Sequence, residues 1–217
     1  MCVSPDKLPN IKYLNGKKLG TWKTGYREIV EILLKENDTE VEWIPFLHGV
    51  NLFLAKAVDA TLCYSYNEYI QLVMSRGEIP DENKIFFNKT KYNIPEEGIY
   101  VTQEFYDTHR GDIFGFVRAC KKGWDYCREH QDEAVDIVLK YTKANKVVTN
   151  RYHQRMMLKE VLRLQQNPSS AISNKPGTST YAPVSNEVFQ KAKTMLRTIG
   201  AINGDIKYND FIKPVKH

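Results

Sequence analysis

The feature of the sequence that most constrains the fold is an alternation of strand-like and helix-like segments between residues 17 and 76. Short apolar runs bounded by turn residues are typical of buried strands, and the stretches between them carry apolar residues at helical spacing. The predicted strands span 17–22, 41–46 and 60–64, and the helices that follow them span 25–35, 50–56 and 67–76. A chain that alternates in this way is expected to fold as an α/β unit.

The rest of the chain is predicted to be mostly helical. Two short strands are expected at 84–87 and 99–102, and helices at 112–128, 131–141, 150–164 and 185–199, with Asn150 and Ser185 as caps. The helix at 112–128 should bury one stripe of side chains: Ile113, Phe116, Val117, Cys120, Trp124 and Cys127. Residues 1–13 are predicted to be irregular, and 167–183 to form a surface connection rich in Pro, Ser and Thr. The helices could form a bundle or pack on a sheet that this sequence lacks.

Charge and cysteine content argue against several classes of protein. The 31 basic and 26 acidic residues are interspersed, without a Lys/Arg run or a basic stripe between aromatics, so nucleic acid is not expected as a partner. No apolar run approaches the roughly 20 residues of a membrane span, and no signal-peptide pattern is visible. Cys2, Cys63, Cys120 and Cys127 lack metal-ligand spacing and are expected to be buried free thiols. No catalytic residue, metal site or cofactor is predicted.

The first candidate site is the loop that joins the strand at 17–22 to the following helix. Glycine lets a ligand approach the backbone closely, and a helix start presents unpaired N–H groups with a partial positive charge. The predicted ligand-binding residues are Gly20, Trp22, Lys23, Thr24 and Gly25, and Tyr26 adds a flat surface beside them. An ordinary strand-to-helix turn explains the same residues. The lack of a Gly-Lys-Ser/Thr ending argues against a P-loop.

The second candidate site follows the strand at 60–64. In open α/β sheets, ligands bind beyond the carboxyl ends of the strands, where the sequence provides Tyr64, Tyr66, Asn67 and Glu68. A carboxylate beside an amide and aromatic rings can hold an amine or an amino-heterocycle by hydrogen bonds and stacking. The alternative interpretation makes Asn67 a helix cap and Glu68 an acid in the first turn of the helix.

Several segments occur in the order and spacing of one known family. They are Leu-Asn-Gly-Lys-Lys-Leu-Gly-Thr-Trp at 14–22, Phe-Leu-Ala-Lys-Ala-Val-Asp-Ala at 53–60, Tyr-Asn-Glu-Tyr at 66–69, Gly-Ile-Tyr-Val at 98–101 and Phe-Val-Arg-Ala at 116–119, followed by Gly123-Trp124 and Glu133-Ala134-Val135. In these segments the chain resembles the substrate-binding proteins of ABC importers with an NMT1/THI5-like domain, which are related to sulfonate and nitrate binders. The resemblance covers residues 14–165.

The resemblance implies an α/β fold of the periplasmic-binding-protein type II kind, in which two lobes clamp a ligand between them. Residues 14–92 would be the nearly complete second lobe, and residues 93–217 the mainly helical C-terminal part of the first, after the lead-in at 1–13. Family members carry the opening of the first lobe ahead of the Gly-Lys-Lys strand, so the chain is expected to be a truncated product.

The function implied by the resemblance is ligand binding for import. The chain would bind a small nitrogen-containing molecule, with a thiamine-precursor pyrimidine as the named candidate. Trp22 and Tyr66 would stack on it, and Glu68 would accept a hydrogen bond from its exocyclic amine. The resemblance also implies a permease partner and a location in the periplasm, or anchored outside the cytoplasmic membrane.

Two alternatives stay open beside the importer function. One is a pyridoxal-phosphate-dependent enzyme that makes the thiamine pyrimidine, although the cysteine-rich motif of such enzymes is absent from the sequence. The other is a helical interaction module without a ligand. An unpaired sheet edge could also support a homodimer.

Overall fold

The computed structural model of the chain describes residues 1–23, 25–93, 97–166 and 184–213. The chain divides into two compact units. The first comprises Met1–Asn93 and Lys191–Asp205, and the second comprises Ile94–Gln190 and Ile206–His217. The assignment of residues 14–92 and 93–217 to the second and first lobes of a two-lobed fold stays a prediction.

A mixed sheet of five strands lies at the centre of the first unit, in the order β3-β2-β4-β1-β5. The strands are β1 Cys2–Val3, β2 Lys17–Trp22, β3 Val41–Phe46, β4 Ala60–Leu62 and β5 Lys84–Ile85. β2 pairs in parallel with β3 and β4, whereas β1 pairs antiparallel with β4 and β5. The predicted α/β unit is confirmed, and β2 and β3 begin and end at the predicted residues.

Helices pack against both faces of this sheet. They are α1 Glu28–Glu36, α2 Asn51–Leu54 and α3 Glu68–Arg76. Leu34 of α1 belongs to the same buried cluster as Leu62 of β4. Leu72 of α3 belongs to a second cluster with Cys63. Because neighbouring residues of an extended segment point to opposite faces, Leu62 and Cys63 place these clusters on opposite sides of the sheet.

The prediction of an irregular lead-in over residues 1–13 is wrong, because Cys2–Val3 form β1 inside the sheet. Cys2 pairs with Leu62 on one side and Ile85 on the other, and it is fully buried. The Asn83 side chain donates to the carbonyl of Pro5 at 2.7 Å and fixes the chain after β1. A strand of two residues has no apolar periodicity, so the sequence pattern does not reveal it.

The two later strand predictions also need correction. β5 ends at Ile85 because a 3-10 helix occupies Phe87–Lys89. Residues 99–102 are not a strand, and no strand in the described ranges pairs with them. Ile99 and Tyr100 are exposed. An extended segment becomes a stable strand only beside a hydrogen-bonded neighbour.

The second unit is helical in the part of the chain that the structure describes. Its helices are α4 Gln103–Thr108, α5 Arg110–Glu129, α6 Gln131–Ala144, α7 Arg151–Gln166 and α9 Tyr208–Phe211, and α8 Asn186–Thr198 begins in this unit. Both predicted caps are confirmed. Asn150 Oδ1 accepts from the His153 N–H at 2.9 Å, and Ser185 Oγ accepts from the Val188 N–H at 3.3 Å. The predicted connection at 167–183 lies outside the described residues.

The stripe predicted to be buried on α5 is only partly covered. Ile113 is buried, Phe116 is 59% exposed, and the other four members are half-buried. Within the described residues, the stripe is therefore only partly covered by the rest of the chain. Among the described residues, no helix has both the length and the apolar character needed to cross a bilayer.

Candidate ligand-binding site

The predicted site residues converge at one edge of the sheet in the first unit. Trp22 is the last residue of β2, and it pairs in register with Phe46, the last residue of β3. Tyr64 follows the parallel neighbour β4 after one residue. Because β2, β3 and β4 run in parallel, their carboxyl ends lie together, which is where open α/β sheets bind ligands.

Five rings form a continuous aromatic cluster at this edge: Trp22, Tyr26, Phe46, Tyr64 and Tyr66. The Tyr64 ring centre lies 5.0 Å from that of Trp22 and 5.0 Å from that of Tyr66, with only 22° between the two tyrosine planes. Tyr26 and Phe46 meet the Trp22 ring edge-on at 5.9 and 5.7 Å. The cluster therefore contains one stacked pair, Tyr64 and Tyr66, with Trp22 tilted at 37° against Tyr64, and edge-to-face contacts support these rings.

The Glu68 carboxylate holds two residues of this cluster by hydrogen bonds. It is 5% exposed and lies at the start of α3, where a negative charge is favoured by the helix dipole. Its Oε1 accepts from Trp22 Nε1 at 3.3 Å and from Asn67 Nδ2 at 3.2 Å, and its Oε2 accepts from the Tyr64 N–H at 3.1 Å. These bonds use three of the roughly four acceptor positions of a carboxylate.

The loop after β2 holds Tyr26 in an unusual backbone conformation. Gly25 has φ 66° and Tyr26 has φ 65°, so two consecutive residues occupy the left-handed region. For tyrosine this conformation costs roughly 1 kcal/mol or more, and the cost is offset here by ring contacts with Trp22 and Tyr64. Strained residues of this kind concentrate at binding sites.

The start of α1 differs from the predicted cradle of unpaired N–H groups. The helix begins at Glu28, three residues later than predicted, and the Arg27 side chain makes no capping hydrogen bond. Instead, Arg27 Nε lies 2.6 Å from Glu31, and its guanidinium stacks over Trp43. Lys23 is exposed, while Thr24 lies outside the described residues.

Gly20 and Asn67 occupy supporting positions. Gly20 lies buried inside β2 rather than in the loop, and a Cβ there would lie 3.0 Å from Thr61 Oγ1 and 3.5 Å from the Phe46 ring. Asn67 makes no side-chain cap to α3. It donates to Glu68 and accepts from Gln71 Nε2 at 3.0 Å.

The structure thus brings together Trp22, Tyr64, Tyr66, Asn67 and Glu68. Lys23 and Gly25 lie in the adjoining loop, and Gly20 lies within β2. Their direct contact with a ligand stays a prediction. Sequence reasoning missed Phe46. The signal that could have found it was the equal length of the strands at 17–22 and 41–46, which places their last residues side by side if they pair in parallel.

A separate groove of about 460 Å³ lies between α1 and β5, with Leu33 and Phe86 in its lining. Its buried polar side chain is Lys84, whose Nζ donates to Tyr69 Oη at 2.9 Å and lies 2.7 Å from Asp81. Burial alone lowers the pKa of Lys84, but the hydrogen bonds to Asp81 and Tyr69 outweigh it, so the pKa is raised. Because this ammonium is engaged within the protein, the groove is a weaker ligand site than the aromatic cluster.

Among the described residues, no group of three or more His, Cys, Asp or Glu side chains is arranged to hold a metal ion. The aromatic cluster offers rings, one amide and one carboxylate. These groups suit stacking and hydrogen bonding with a small polar ring.

A comparison with protein families finds a match over much of the chain. A family model described as NMT1/THI5 like matches residues 3–134, which is more than half of the chain. No curated protein sequence matches the chain.

Comparison with solved structures finds the periplasmic aliphatic sulphonate binding protein SsuA from Escherichia coli. The match has a TM-score of 0.58 at 13% sequence identity, and it covers 91% of this chain and 59% of that chain. At this identity the likeness concerns the fold, and it confirms the predicted α/β fold of the periplasmic-binding-protein type II kind. The chain spans little more than half the length of that protein.

Proposed function

The chain belongs to the NMT1/THI5-like family, and on this premise we propose that it is a substrate-binding component of an ABC importer. The observation that carries the proposal is the contiguous group of rings of Trp22, Tyr64 and Tyr66 at the carboxyl edge of the parallel strands. This edge is the usual ligand position in open α/β sheets. A permease partner and a location outside the cytoplasmic membrane are parts of the same proposal.

We propose that the ligand is a small, flat, nitrogen-containing molecule, with a thiamine-precursor pyrimidine as the first candidate. Trp22 and Tyr66, which lie on either side of Tyr64, provide ring surfaces on which an aromatic heterocycle would stack. Among the described residues, Glu68 Oε2 accepts from the Tyr64 N–H alone, and its second acceptor position would receive the exocyclic amine of the ligand.

The test is a calorimetric titration with a hydroxymethyl aminopyrimidine, thiamine and an alkyl sulfonate. Tyr66→Ala should weaken pyrimidine binding about tenfold, the value of one aromatic stacking contact. Tyr13→Ala is the matched control because Tyr13 is 59% exposed and lies outside the cluster. Equal binding by the two variants, or binding of the sulfonate alone, would overturn the proposed ligand class.

Binding without chemistry is the favoured form of this function, because the carboxylate at the cluster is already held by three donors. The rival enzyme would use pyridoxal phosphate. A stable absorbance band of protein-bound pyridoxal phosphate, retained after dialysis, would favour the enzyme, and its absence would favour the binding protein.

A homodimer through a sheet edge is a further part of the proposal. β3 pairs only with β2 in the described residues, so its other edge can receive a strand. Pro45 within β3 lacks an N–H and limits this pairing. Sedimentation equilibrium would distinguish a dimer from a monomer.

A further inference from the structure

The helical hairpin formed by α6 and α7 ends in an exposed apolar tip. We call residues 137–155 the hairpin tip. The exposed apolar side chains there are Ile137, Val138, Tyr141, Val147, Val148 and Tyr152. Val148 is 99% exposed, so no part of the described chain packs on it. Exposed apolar patches of this kind mark surfaces that meet another molecule.

The turn that presents the valines is defined by its hydrogen bonds. The Lys146 N–H donates to the Lys143 carbonyl at 3.2 Å, and the Val147 N–H donates to the Thr142 carbonyl at 2.9 Å. Lys146 has φ 55°, which completes a Schellman ending of α6. This turn holds the backbone of Lys146 and Val147, and the fully exposed Val148 follows it directly.

The stretch of sequence from residue 137 to residue 159, which contains the hairpin tip, carries only positive charges. No Asp or Glu occurs from residue 137 to residue 159, whereas six cations do: Lys140, Lys143, Lys146, Arg151, Arg155 and Lys159. The two arginines pair with Asp136 and Asp132. The four lysines are exposed and make no ion pair within the described residues. Lys140, Lys143 and Lys146 lie in the last turns of α6 and the turn that follows it, whereas Lys159 lies about two turns along α7 from Arg151.

We propose that the hairpin tip binds the surface of an anionic phospholipid bilayer. Val147 and Val148 would enter the headgroup region. Lys140, Lys143 and Lys146 would contact lipid phosphates while their alkyl stems lie along the apolar boundary. Tyr141 and Tyr152 suit the same depth because each has an apolar ring and a polar end. A nucleic-acid surface would not gain from two projecting valines, and a protein partner would require a pocket that fits them.

Vesicle co-sedimentation of the full chain tests this proposal. Binding to mixed phosphatidylcholine–phosphatidylglycerol vesicles should exceed binding to pure phosphatidylcholine and should weaken with salt. The variant Lys143→Gln/Lys146→Asn should bind about 25-fold more weakly, at roughly fivefold per lysine. Asparagine is chosen at 146 because it tolerates the left-handed backbone. Val148→Ser should weaken binding several-fold without a change in the melting temperature.

The matched control is Lys12→Gln/Lys17→Gln, which removes two exposed lysines from the first unit and should leave vesicle binding unchanged. If this control loses as much vesicle binding as Lys143→Gln/Lys146→Asn, binding depends only on the net charge of the protein and the proposal is overturned. Equal binding to neutral vesicles, or preferential binding to duplex DNA in competition, would also overturn it.

Discussion

The indole Nε1 of Trp22 donates a hydrogen bond to Oε1 of Glu68 at 3.3 Å, and it thereby connects the end of β2 to the start of α3. The same carboxylate accepts from the Tyr64 N–H. One buried acid therefore holds both Trp22 and Tyr64 in position within the aromatic cluster.

Replacing Glu68 by glutamine should destabilise the protein and displace Trp22. Glutamine provides one acceptor oxygen where the carboxylate provides two, so one of the buried donors loses its partner. The free energy of unfolding should fall by about 1–3 kcal/mol, measured by urea denaturation. The tryptophan emission should also shift in the native state.

The control for Glu68 is Glu42→Gln, which changes an exposed residue of β3 and should leave both measurements unaffected. If Glu68→Gln unfolds at the wild-type urea concentration with unchanged emission, the anchoring role of Glu68 is refuted.

Two glycine-to-alanine substitutions should have opposite effects. Gly20→Ala places a Cβ 3.0 Å from Thr61 Oγ1 inside the buried sheet, and should cost about 1–3 kcal/mol of stability. Gly123 lies in the interior of α5, and a Cβ there would have no atom within 4 Å. Gly123→Ala should therefore raise the free energy of unfolding by about 0.5–1 kcal/mol. Thermal melts of both variants measure the contrast. A neutral Gly20→Ala would show that β2 has room beneath the cluster.

Local sequence patterns predicted the strands that are several residues long and are bounded by turn residues. β2 and β3 each have six residues and are enclosed by turn residues, so their boundaries followed from the sequence. β1 could not be predicted, because its two residues become a strand only between β4 and β5. Residues 99–102 show the converse, since a strand-like pattern without a partner strand stays irregular.

The candidate site was predicted at the level of residue types, but its internal connections were not. Placing Tyr64 to Glu68 at the end of a strand followed from the α/β alternation. The bond from Trp22 to Glu68 joins residues 46 positions apart, and no local pattern encodes it. Tyr26 likewise depends on a left-handed backbone that sequence rules would assign to glycine.

The four cysteines should separate into two classes of reactivity. Cys2 and Cys63 are buried on opposite faces of the sheet, whereas Cys120 and Cys127 are half-buried on α5. In the native protein, an aromatic disulfide reagent should modify Cys120 and Cys127 and leave the other two unreacted, because reaction requires an accessible thiolate. Peptide mapping identifies the sites, and unfolding in urea should expose all four. Rapid native modification of Cys63 would contradict the buried position.

The same two buried thiols should make the protein less stable at alkaline pH. Burial raises the pKa of Cys2 and of Cys63 from the ordinary value of 9.0 to about 12. Above pH 9 the unfolded chain releases these protons while the folded chain retains them. The stabilisation is thus complete below pH 9 and is lost as the pH rises towards the folded value. The free energy of unfolding should fall by about 1.4 kcal/mol per pH unit for each thiol.

Urea denaturation at a series of pH values measures this slope, and Cys2→Ala and Cys63→Ala isolate the contribution of each thiol. Above pH 9 the free energy of unfolding of each variant should fall with pH less steeply than that of the wild type, by about 1.4 kcal/mol per pH unit. Tyr69 and Lys84, whose pKa values are also raised, are present in all three proteins, so their effect cancels in the comparison. A variant with the wild-type slope would show that its thiol ionises equally in the folded and unfolded chain, and hence that water reaches the sulfur beneath the sheet.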